Sequence, residues 1–328
     1  MKNILVTGGT GFVGSHLLDF LIKNQPHANL SVMKRPNSRM RMVQHLLKGP
    51  LPIAWIDGDL TDYSSVRAAI EKANPHYIYH LGALSWVTPS WDMPAAYMQT
   101  NAIGTINLFE AMRHIGNKAR VLVSCTPEEF GDVPESELPI TEKTAIHPVN
   151  PYAASKAAQD MVCLTWAASY GIEVIRTRAF NHEGPRRDIH GANASFAYQI
   201  AMIEAGKQEP VIAVGNLSAV RNFTDVRDTA RAYALAMEKC TPGELYLIGT
   251  QQIHTMQQCL EYLISKSTRK DIAYRTDPAR VRPTELNRFV ADFTKFEQQT
   301  GWKATVSFED TMDGVLEYWR DFVRSGMY

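Results

Sequence analysis

Apolar residues in the first part of the chain follow two patterns in turn. Residues 3–7 form a continuous apolar run that ends in glycines, and residues 12–22 then place apolar side chains at helical spacing. A continuous run is typical of a strand buried on both faces, whereas the second spacing predicts an amphipathic helix. The chain therefore begins with a strand, a glycine turn and a helix.

The same alternation continues to about residue 180. Further strands are predicted near 30–33, 53–57, 77–81, 120–124 and 173–178, and further helices near 63–74, 94–114 and 152–170. Strands that alternate with helices form parallel βαβ units. We therefore predict an α/β protein with a doubly wound parallel sheet of the Rossmann type.

The later part of the chain is less regular and suggests a second, smaller α/β lobe. A loop is predicted at 181–187, helices at 194–205, 229–237, 256–265 and 308–322, and a late strand at 244–249. Because that strand suits the sheet, the two lobes are expected to interleave. We assign 1–180 and about 217–250 to the Rossmann domain, and 181–216 and about 251–328 to the smaller lobe.

Composition excludes several classes of partner. The 34 basic residues balance the 34 acidic residues, so no global field favours nucleic acid or an anionic membrane. Cys125, Cys163, Cys240 and Cys259 form no CxxC pair, which argues against a metal site or a disulfide framework. The lack of a disulfide framework suits a reducing compartment, and we expect a cytoplasmic protein. The first apolar run is too short for a signal peptide or a membrane span and is predicted to be a buried strand.

A glycine motif lies between the first strand and the first helix. Glycines let the backbone turn tightly and approach a pyrophosphate, and the helix N-terminus offers unpaired N–H groups to the phosphates. The alternative is a purely structural turn, but the flanking strand and helix favour a dinucleotide. The predicted cofactor contacts of this turn are Gly8, Thr10, Gly11, Phe12, Val13 and Gly14.

Two further positions bear on the cofactor. The second strand ends in Lys34 and Arg35, where an NAD enzyme commonly carries an acidic residue, so NADP(H) is favoured over NAD(H). The alternative is a solvated basic turn. Asp59, after the third strand, could accept a hydrogen bond from the adenine amino group, or it could cap the helix that begins near Thr61.

Tyr152 and Lys156 are four residues apart at the start of a helix and therefore project from one face. A nearby ammonium, together with the positive nicotinamide, is expected to lower the pKa of the phenol and make Tyr152 a general acid or base. Amphipathic helices also carry such a pair by chance. The position downstream of the glycine motif favours the catalytic interpretation.

The fifth strand ends beside polar residues that should face a ligand, because ligands bind at the carboxyl ends of parallel strands. The Thr126 hydroxyl can donate to the substrate oxygen at the reacting carbon, and Glu128 can act as a base for a proton next to a ketone. Glu129 is expected to point to solvent.

The sequences TGGTGFVG and YAASK, together with Thr126, resemble the extended short-chain dehydrogenase/reductase superfamily of nucleotide-sugar enzymes across essentially the whole chain. Residues 179–185, 214–217, 221–228 and 282–285 look like its GDP-sugar branch, which contains GDP-mannose 4,6-dehydratases and GDP-4-keto-6-deoxy-D-mannose reductases. The resemblance implies an NADP(H) enzyme with a GDP-sugar substrate.

The resemblance also implies roles for individual residues and an assembly. Leu60 and Leu81 would contact the cofactor. The implied substrate contacts are Ser85 for the hexose, Asn181 and Arg221 for the diphosphate, and Arg282 and Glu285 for the guanosine. For each arginine the alternative is a surface ion pair. The helices near 94–114 and 152–170 would pair with those of a second copy in a four-helix bundle, giving a homodimer.

Within the branch the residues point both ways. Residues 195–200 and 223–228 are similar to the reductase, and the dehydratase-like FVTRK stretch is absent. Thr126 with Glu128, and the loop 181–187, match the dehydratase. A Glu also occurs at this position in reductases, so Glu128 does not decide between the two. Pro127 and Phe130 depart from the usual Ser and Tyr. The first hypothesis is a 4-keto reductase that forms GDP-D-rhamnose, the second is a dehydratase, and the third is a non-catalytic dinucleotide sensor, against which the intact Tyr152 and Lys156 argue.

Overall fold

The computed structural model describes residues 1–49, 52–281 and 289–326. Its strands are β1 (Asn3–Thr7), β2 (Asn29–Lys34), β3 (Ile53–Asp57), β4 (Tyr77–His80), β5 (Arg120–Ser124), β6 (Val174–Ala179), β7 (His182–Glu183), β8 (Val211–Val214), β9 (Val220–Asn222), β10 (Thr224–Asp225), β11 (Leu245–Ile248), β12 (Ile253–Thr255) and β13 (Ala273–Thr276). Its α-helices are α1 (Phe12–Asn24), α2 (Tyr63–Ala73), α3 (Val87–Ser90), α4 (Pro94–Tyr97), α5 (Gly104–Ile115), α6 (Pro151–Tyr170), α7 (Ala192–Glu204), α8 (Val226–Lys239), α9 (Met256–Ser265), α10 (Thr294–Thr300) and α11 (Phe308–Ser325).

Seven parallel strands form the central sheet in the order β11-β6-β5-β4-β1-β2-β3. The prediction of a doubly wound parallel sheet is therefore confirmed. The strand order reverses between β1 and β4, and crevices at such a reversal, outside the carboxyl ends of the strands, bind ligands in this architecture.

Both faces of the sheet are covered by helices, which explains why its strands are apolar on both sides. On one face, α1 and α8 bury Leu17, Leu21, Tyr233 and Met237 against strand residues such as Val6. On the other face, helices α2, α5 and α6 form a separate apolar cluster with the sheet. The glycine turn and the start of α6 are thereby fixed at the same edge of the sheet.

The second lobe has its own apolar core, built mainly from α7, α9 and α11. Short two-stranded ladders join β8 to β13, β9 to β12 and β7 to β10. The sequence predicted the three helices but not these ladders, because strands of two to four residues carry little periodic signal. In particular, the sequence predicts a loop over 181–187, whereas His182 and Glu183 pair with Thr224 and Asp225 in the structure.

The chain returns to the central sheet after entering the second lobe. Strand β11 pairs with β6, with Leu245 opposite Arg176 and Ile248 opposite Ala179. Helix α8 packs on the same face as α1. Among the residues described, no helix is both long and apolar enough to cross a membrane.

Candidate active site

A cavity of about 1000 Å³ lies at the carboxyl ends of the strands, between the sheet and the second lobe. Seventeen of the predicted site residues line this cavity, although they lie far apart along the chain. These are Gly8, Thr10, Gly11, Phe12, Val13, Gly14, Arg35, Asp59, Leu60, Leu81, Ser85, Thr126, Glu128, Tyr152, Lys156, Asn181 and Arg221. The predicted guanosine contacts Arg282 and Glu285 lie outside the described residues.

The glycine turn at one end of the cavity requires its glycines. Gly8 has a φ of +71°, and a Cβ on it would lie 2.7 Å from the Gly82 nitrogen. A Cβ on Gly14 would lie 2.3 Å from the Gly8 carbonyl oxygen. Helix α1 begins after Gly11 with no side-chain cap, so its first N–H groups face the cavity without a local acceptor. This arrangement suits a pyrophosphate.

At the end of β2, the two basic residues have different surroundings. The Lys34 ammonium donates to the Asp57 carboxylate at 2.5 Å. Arg35 is exposed at the rim of the cavity, where it could meet an anionic group on a ribose. The ion pair of Lys34 thus leaves Arg35 as the candidate for recognising a 2′-phosphate.

The cap of helix α2 is Asp62, whose carboxylate accepts from the Ser64 amide at 3.0 Å. Asp59 instead accepts from the backbone and hydroxyl of Thr61. The alternative that Asp59 caps this helix is therefore wrong. Asp59 lines the cavity, as expected for a residue that contacts an adenine.

The turn after β5 is held by a reciprocal pair of hydrogen bonds. The Thr126 hydroxyl accepts from the Glu128 amide at 3.3 Å, and the Glu129 carboxylate accepts from the Thr126 amide at 2.9 Å. Asn150, which caps α6, donates from its side-chain amide to Glu128 at 2.9 Å. Thr126 and Glu128 are thereby fixed next to the first turn of α6.

Glu129 is fully buried, so the expectation that it points to solvent is wrong. Its carboxylate lies 2.8 Å from the Arg178 guanidinium, which also pairs with Asp160 at 2.6 Å. The Phe130 ring lies 4.5 Å from the same guanidinium. Burial raises the pKa of Glu129 above its usual value, and the charge of Arg178 offsets only part of that increase. The departures at Pro127 and Phe130 thus belong to a turn packed over a buried ion pair.

Tyr152 and Lys156 lie one helical turn apart on α6, and both are buried where they line the cavity. Burial raises the pKa of Tyr152, and a hydrogen bond with Thr126 and the charge of Arg187 oppose that effect. In the protein alone, burial thus outweighs the lowering predicted from sequence, and the phenol is protonated at neutral pH. Burial also lowers the pKa of Lys156.

Aromatic and cationic side chains that sequence reasoning missed form another part of the wall. The Arg187 guanidinium lies 5.0 Å from the Phe12 ring and 4.9 Å from the Trp86 ring. His182 stacks on Phe12 with the ring centroids 6.0 Å apart, and burial followed by the Arg187 charge lowers its pKa to about 4. These contacts join segments distant in sequence, so no local pattern indicates them.

Asn101 is a second kind of missed residue. It lies in the π-helical segment Met98–Ile103 between α4 and α5. Its side chain accepts from the Leu84 amide at 2.8 Å and donates to the Leu84 carbonyl and the Ser155 hydroxyl, each at 2.9 Å. Single π-helical turns often mark functional sites. Here the turn ties the loop that carries Ser85 to helix α6.

The chain is similar over nearly its whole length to known nucleotide-sugar enzymes. The chain is 30% identical to the GDP-6-deoxy-D-mannose reductase of Pseudomonas aeruginosa over 98% of its own length and 99% of that protein. It is 29% identical to GDP-mannose 4,6 dehydratase 1 of Arabidopsis thaliana, over 96% of this chain and 89% of the relative. The solved structure of RMD from Pseudomonas aeruginosa complexed with NADPH superposes with a TM-score of 0.82, at 27% identity, over 98% of this chain and 100% of that one.

The family profile described as GDP-mannose 4,6 dehydratase matches residues 5–315. That match spans the glycine turn, the Thr126 turn, the Tyr152 helix and most of the second lobe. The chain therefore belongs to the GDP-mannose 4,6 dehydratase family.

Proposed function

We propose that this protein is an NADPH-dependent reductase that converts the 4-keto group of GDP-4-keto-6-deoxy-D-mannose to a hydroxyl and forms GDP-D-rhamnose. The observation that carries the proposal is the single cavity that joins the Gly8–Gly14 turn to Thr126, Tyr152 and Lys156. The full-length similarity to a GDP-6-deoxy-D-mannose reductase supports the choice of substrate.

NADP(H) is the proposed cofactor. The glycine turn would hold the pyrophosphate, because its N–H groups face the cavity and side chains at Gly8 or Gly14 would collide with backbone. Arg35 would recognise the 2′-phosphate, since a guanidinium suits a phosphate dianion. The solved RMD structure, with which this chain superposes, is complexed with NADPH.

NADPH held at the glycine turn would supply the hydride that C4 receives. Tyr152 donates its proton to the carbonyl oxygen as that oxygen becomes an alkoxide, and burial keeps the phenol protonated until that moment. The Thr126 hydroxyl donates a hydrogen bond to the same oxygen. The Lys156 ammonium stabilises the negative charge that then develops on Tyr152.

A dehydratase is the second candidate, and the observation that supports it is the way in which Asn150 holds the Glu128 carboxylate at the cavity. The carboxylate lines the cavity and accepts a hydrogen bond from Asn150. A general base must be held in a fixed position next to the proton that it removes, and this bond holds Glu128 in place. In that reaction NADP⁺ held at the glycine turn would accept hydride from C4 of GDP-mannose while Tyr152 takes the proton of the C4 hydroxyl. Glu128 would remove the C5 proton and return it to the C6 hydroxyl, which departs as water. The hydride would then return to C6, and Tyr152 would give its proton back to C5. Such a reaction consumes no cofactor.

The test is NADPH absorbance after addition of GDP-4-keto-6-deoxy-D-mannose to the purified protein. The reductase requires NADPH oxidation equal to the keto-sugar supplied, and Tyr152→Phe should abolish it while NADPH binding persists. No oxidation would overturn the reductase. Formation of a keto-sugar from GDP-mannose, without net change in NADPH, would then establish the dehydratase.

We also propose a homodimer in which two helical segments of each copy form a four-helix bundle. Met98 and Ile103 in the π-helical segment, and Met161 and Leu164 on α6, are large apolar side chains that are each 38% to 43% exposed. Apolar groups of this size on neighbouring helices suit a protein interface. Sedimentation of a stable monomer at micromolar concentration would refute the dimer.

A further inference from the structure

Lys156 lies at one end of a row of buried polar side chains that crosses beneath the cofactor end of the cavity. Its ammonium donates to the Ser124 carbonyl at 2.5 Å and to the side-chain carbonyl of Gln159. The Gln159 amide nitrogen then donates to the Thr105 hydroxyl at 2.7 Å. Gln159 and Thr105 are almost wholly buried, so water does not compete for these bonds.

The row continues through His80 to the start of the glycine turn. His80 Nε2 lies 2.9 Å from the Thr105 hydroxyl, and His80 Nδ1 lies 2.8 Å from the Thr7 hydroxyl. The Thr7 hydroxyl accepts from the Gly82 amide at 3.0 Å. The chain of contacts thus links Lys156 to β1 and β4, the strands on either side of the reversal point.

Hydrogen-bond chemistry fixes the direction of every bond in this row. The Thr105 hydroxyl donates its one proton to the backbone carbonyl of Asn101 at 2.7 Å. The Thr105 oxygen therefore accepts from both Gln159 and His80. His80 therefore carries its proton on Nε2 and accepts from Thr7 on Nδ1. Burial lowers the pKa of His80, in agreement with a neutral ring. Because the Gln159 amide nitrogen is used in the bond to Thr105, the group that Gln159 presents to Lys156 is its side-chain carbonyl oxygen.

We propose that Gln159 is a positioning residue that orients the Lys156 ammonium, an inference that rests on the proposed reductase function of the same site. Two of the three N–H donors of Lys156 are then used by Ser124 and Gln159. The third donor remains for a ligand in the cavity that Lys156 lines. Gln159 itself is absent from the cavity wall, so it acts only through Lys156.

A neutral acceptor matters here because charged and titratable groups already surround the ammonium. The groups that face Lys156 are Cys125 and Glu129 from the turn after β5, Asp160 and Cys163 from α6, and His80 from β4. Those that face Tyr152 are Glu128, Glu129 and Arg187. An amide orients the ammonium without adding a further negative charge beside the phenol.

Two substitutions separate orientation from simple structural support. Gln159→Leu removes the acceptor, which makes the ammonium less favourable and lowers the pKa of Lys156. Gln159→Glu places a carboxylate at the same position and raises that pKa. Because the proposed reduction needs the ammonium form of Lys156, the alkaline limb of kcat for keto-sugar reduction should follow the pKa of Lys156. The limb should move to lower pH in Gln159→Leu and to higher pH in Gln159→Glu, each by about one pH unit. At neutral pH Gln159→Leu should lower kcat by about 10- to 100-fold, the value of one hydrogen bond to a charged group.

The matched control is Gln199→Leu. Gln199 is also a buried amide, but its bonds are to Ser195, Ala213 and Gln208 in the second lobe. This substitution removes the same chemical group and should leave the pH limb at its wild-type position. If Gln159→Leu fails to fold, Thr105→Val provides the second test, because it frees the Gln159 amide to rotate and should move the limb in the same direction by less.

NADPH affinity, measured by nucleotide fluorescence across the same pH range, gives a readout that needs no substrate. Limb shifts of opposite sign in the two Gln159 variants, in affinity or in kcat, support the inference. If both variants lose kcat and NADPH affinity equally at every pH, and the alkaline limbs stay at the wild-type position, the inference is overturned. If wild-type protein oxidises no NADPH with the keto-sugar, the proposed function fails, and the affinity measurement still decides the role of Gln159.

Discussion

Arg178 pairs with Glu129 at 2.8 Å in the interior of the protein, directly beneath the turn that carries Thr126 and Glu128. The exposed fraction of each side chain is at most 3%. Because Glu129 also accepts from the Thr126 amide, the ion pair fixes the geometry of the turn.

Replacing Arg178 with Met should therefore destabilise the whole fold. Two carboxylates, Glu129 and Asp160, would lose a shared partner in a buried site, which costs about 3–5 kcal/mol in the free energy of unfolding. Urea unfolding at pH 7 measures the change. The control is Arg67→Met, which removes an exposed i,i+4 pair with Glu71 and should cost no more than about 0.5 kcal/mol. A similar cost for both variants would contradict the prediction.

The sequence predicted the parts of this site that are local. The glycine turn and the Tyr152 and Lys156 pair depend on spacings within one turn or one helix, so a single segment carries the signal. Glu129 was wrongly placed in solvent because its partner, Arg178, lies on β6 and nothing near residue 129 indicates it. Arg187 was missed for the same reason, since its aromatic neighbours Phe12 and Trp86 come from other segments.

Arg35 should control the preference between the two nicotinamide cofactors. Arg35→Ala is expected to raise the Kd for NADPH by about 10- to 100-fold, the value of one charge-assisted contact to phosphate, and to leave the Kd for NADH unchanged. Nucleotide fluorescence titration measures both constants. Arg39→Ala is the matched control, because Arg39 is an exposed arginine of the same loop that does not line the cavity. Equal effects of the two substitutions on NADPH would refute the assignment.

Glu128 separates the two candidate reactions. Glu128→Gln keeps the shape of the side chain and a hydrogen bond with Asn150, but it removes the base. A reductase should keep kcat within about tenfold of wild type, whereas a dehydratase should lose about 10²- to 10⁴-fold, the usual contribution of a general base. Steady-state kinetics with the keto-sugar and with GDP-mannose provide the measurement. A large loss in keto-sugar reduction would give Glu128 a role that the proposed reductase mechanism lacks.

His80 should make the fold sensitive to mild acid. Burial lowers its pKa to about 3 in the folded protein from 6.5, so below pH 6.5 the unfolded chain binds a proton that the native protein does not. The stability that this neutral ring contributes is full above pH 6.5 and is lost as the pH falls, by up to about 1.4 kcal/mol per pH unit. Urea unfolding of wild type and His80→Gln between pH 7 and pH 4.5 tests this. Parallel curves for the two proteins would show that His80 does not titrate on unfolding.

The position of β11 has a consequence for biosynthesis. Strand β6 pairs with β5 on one side, and its other side is completed only by residues 245–248. During translation at about 5–20 residues per second, the edge of β6 therefore stays open for several seconds after its own residues have left the ribosome. Because an open strand edge can pair with another chain, the nascent protein is prone to aggregate during this interval.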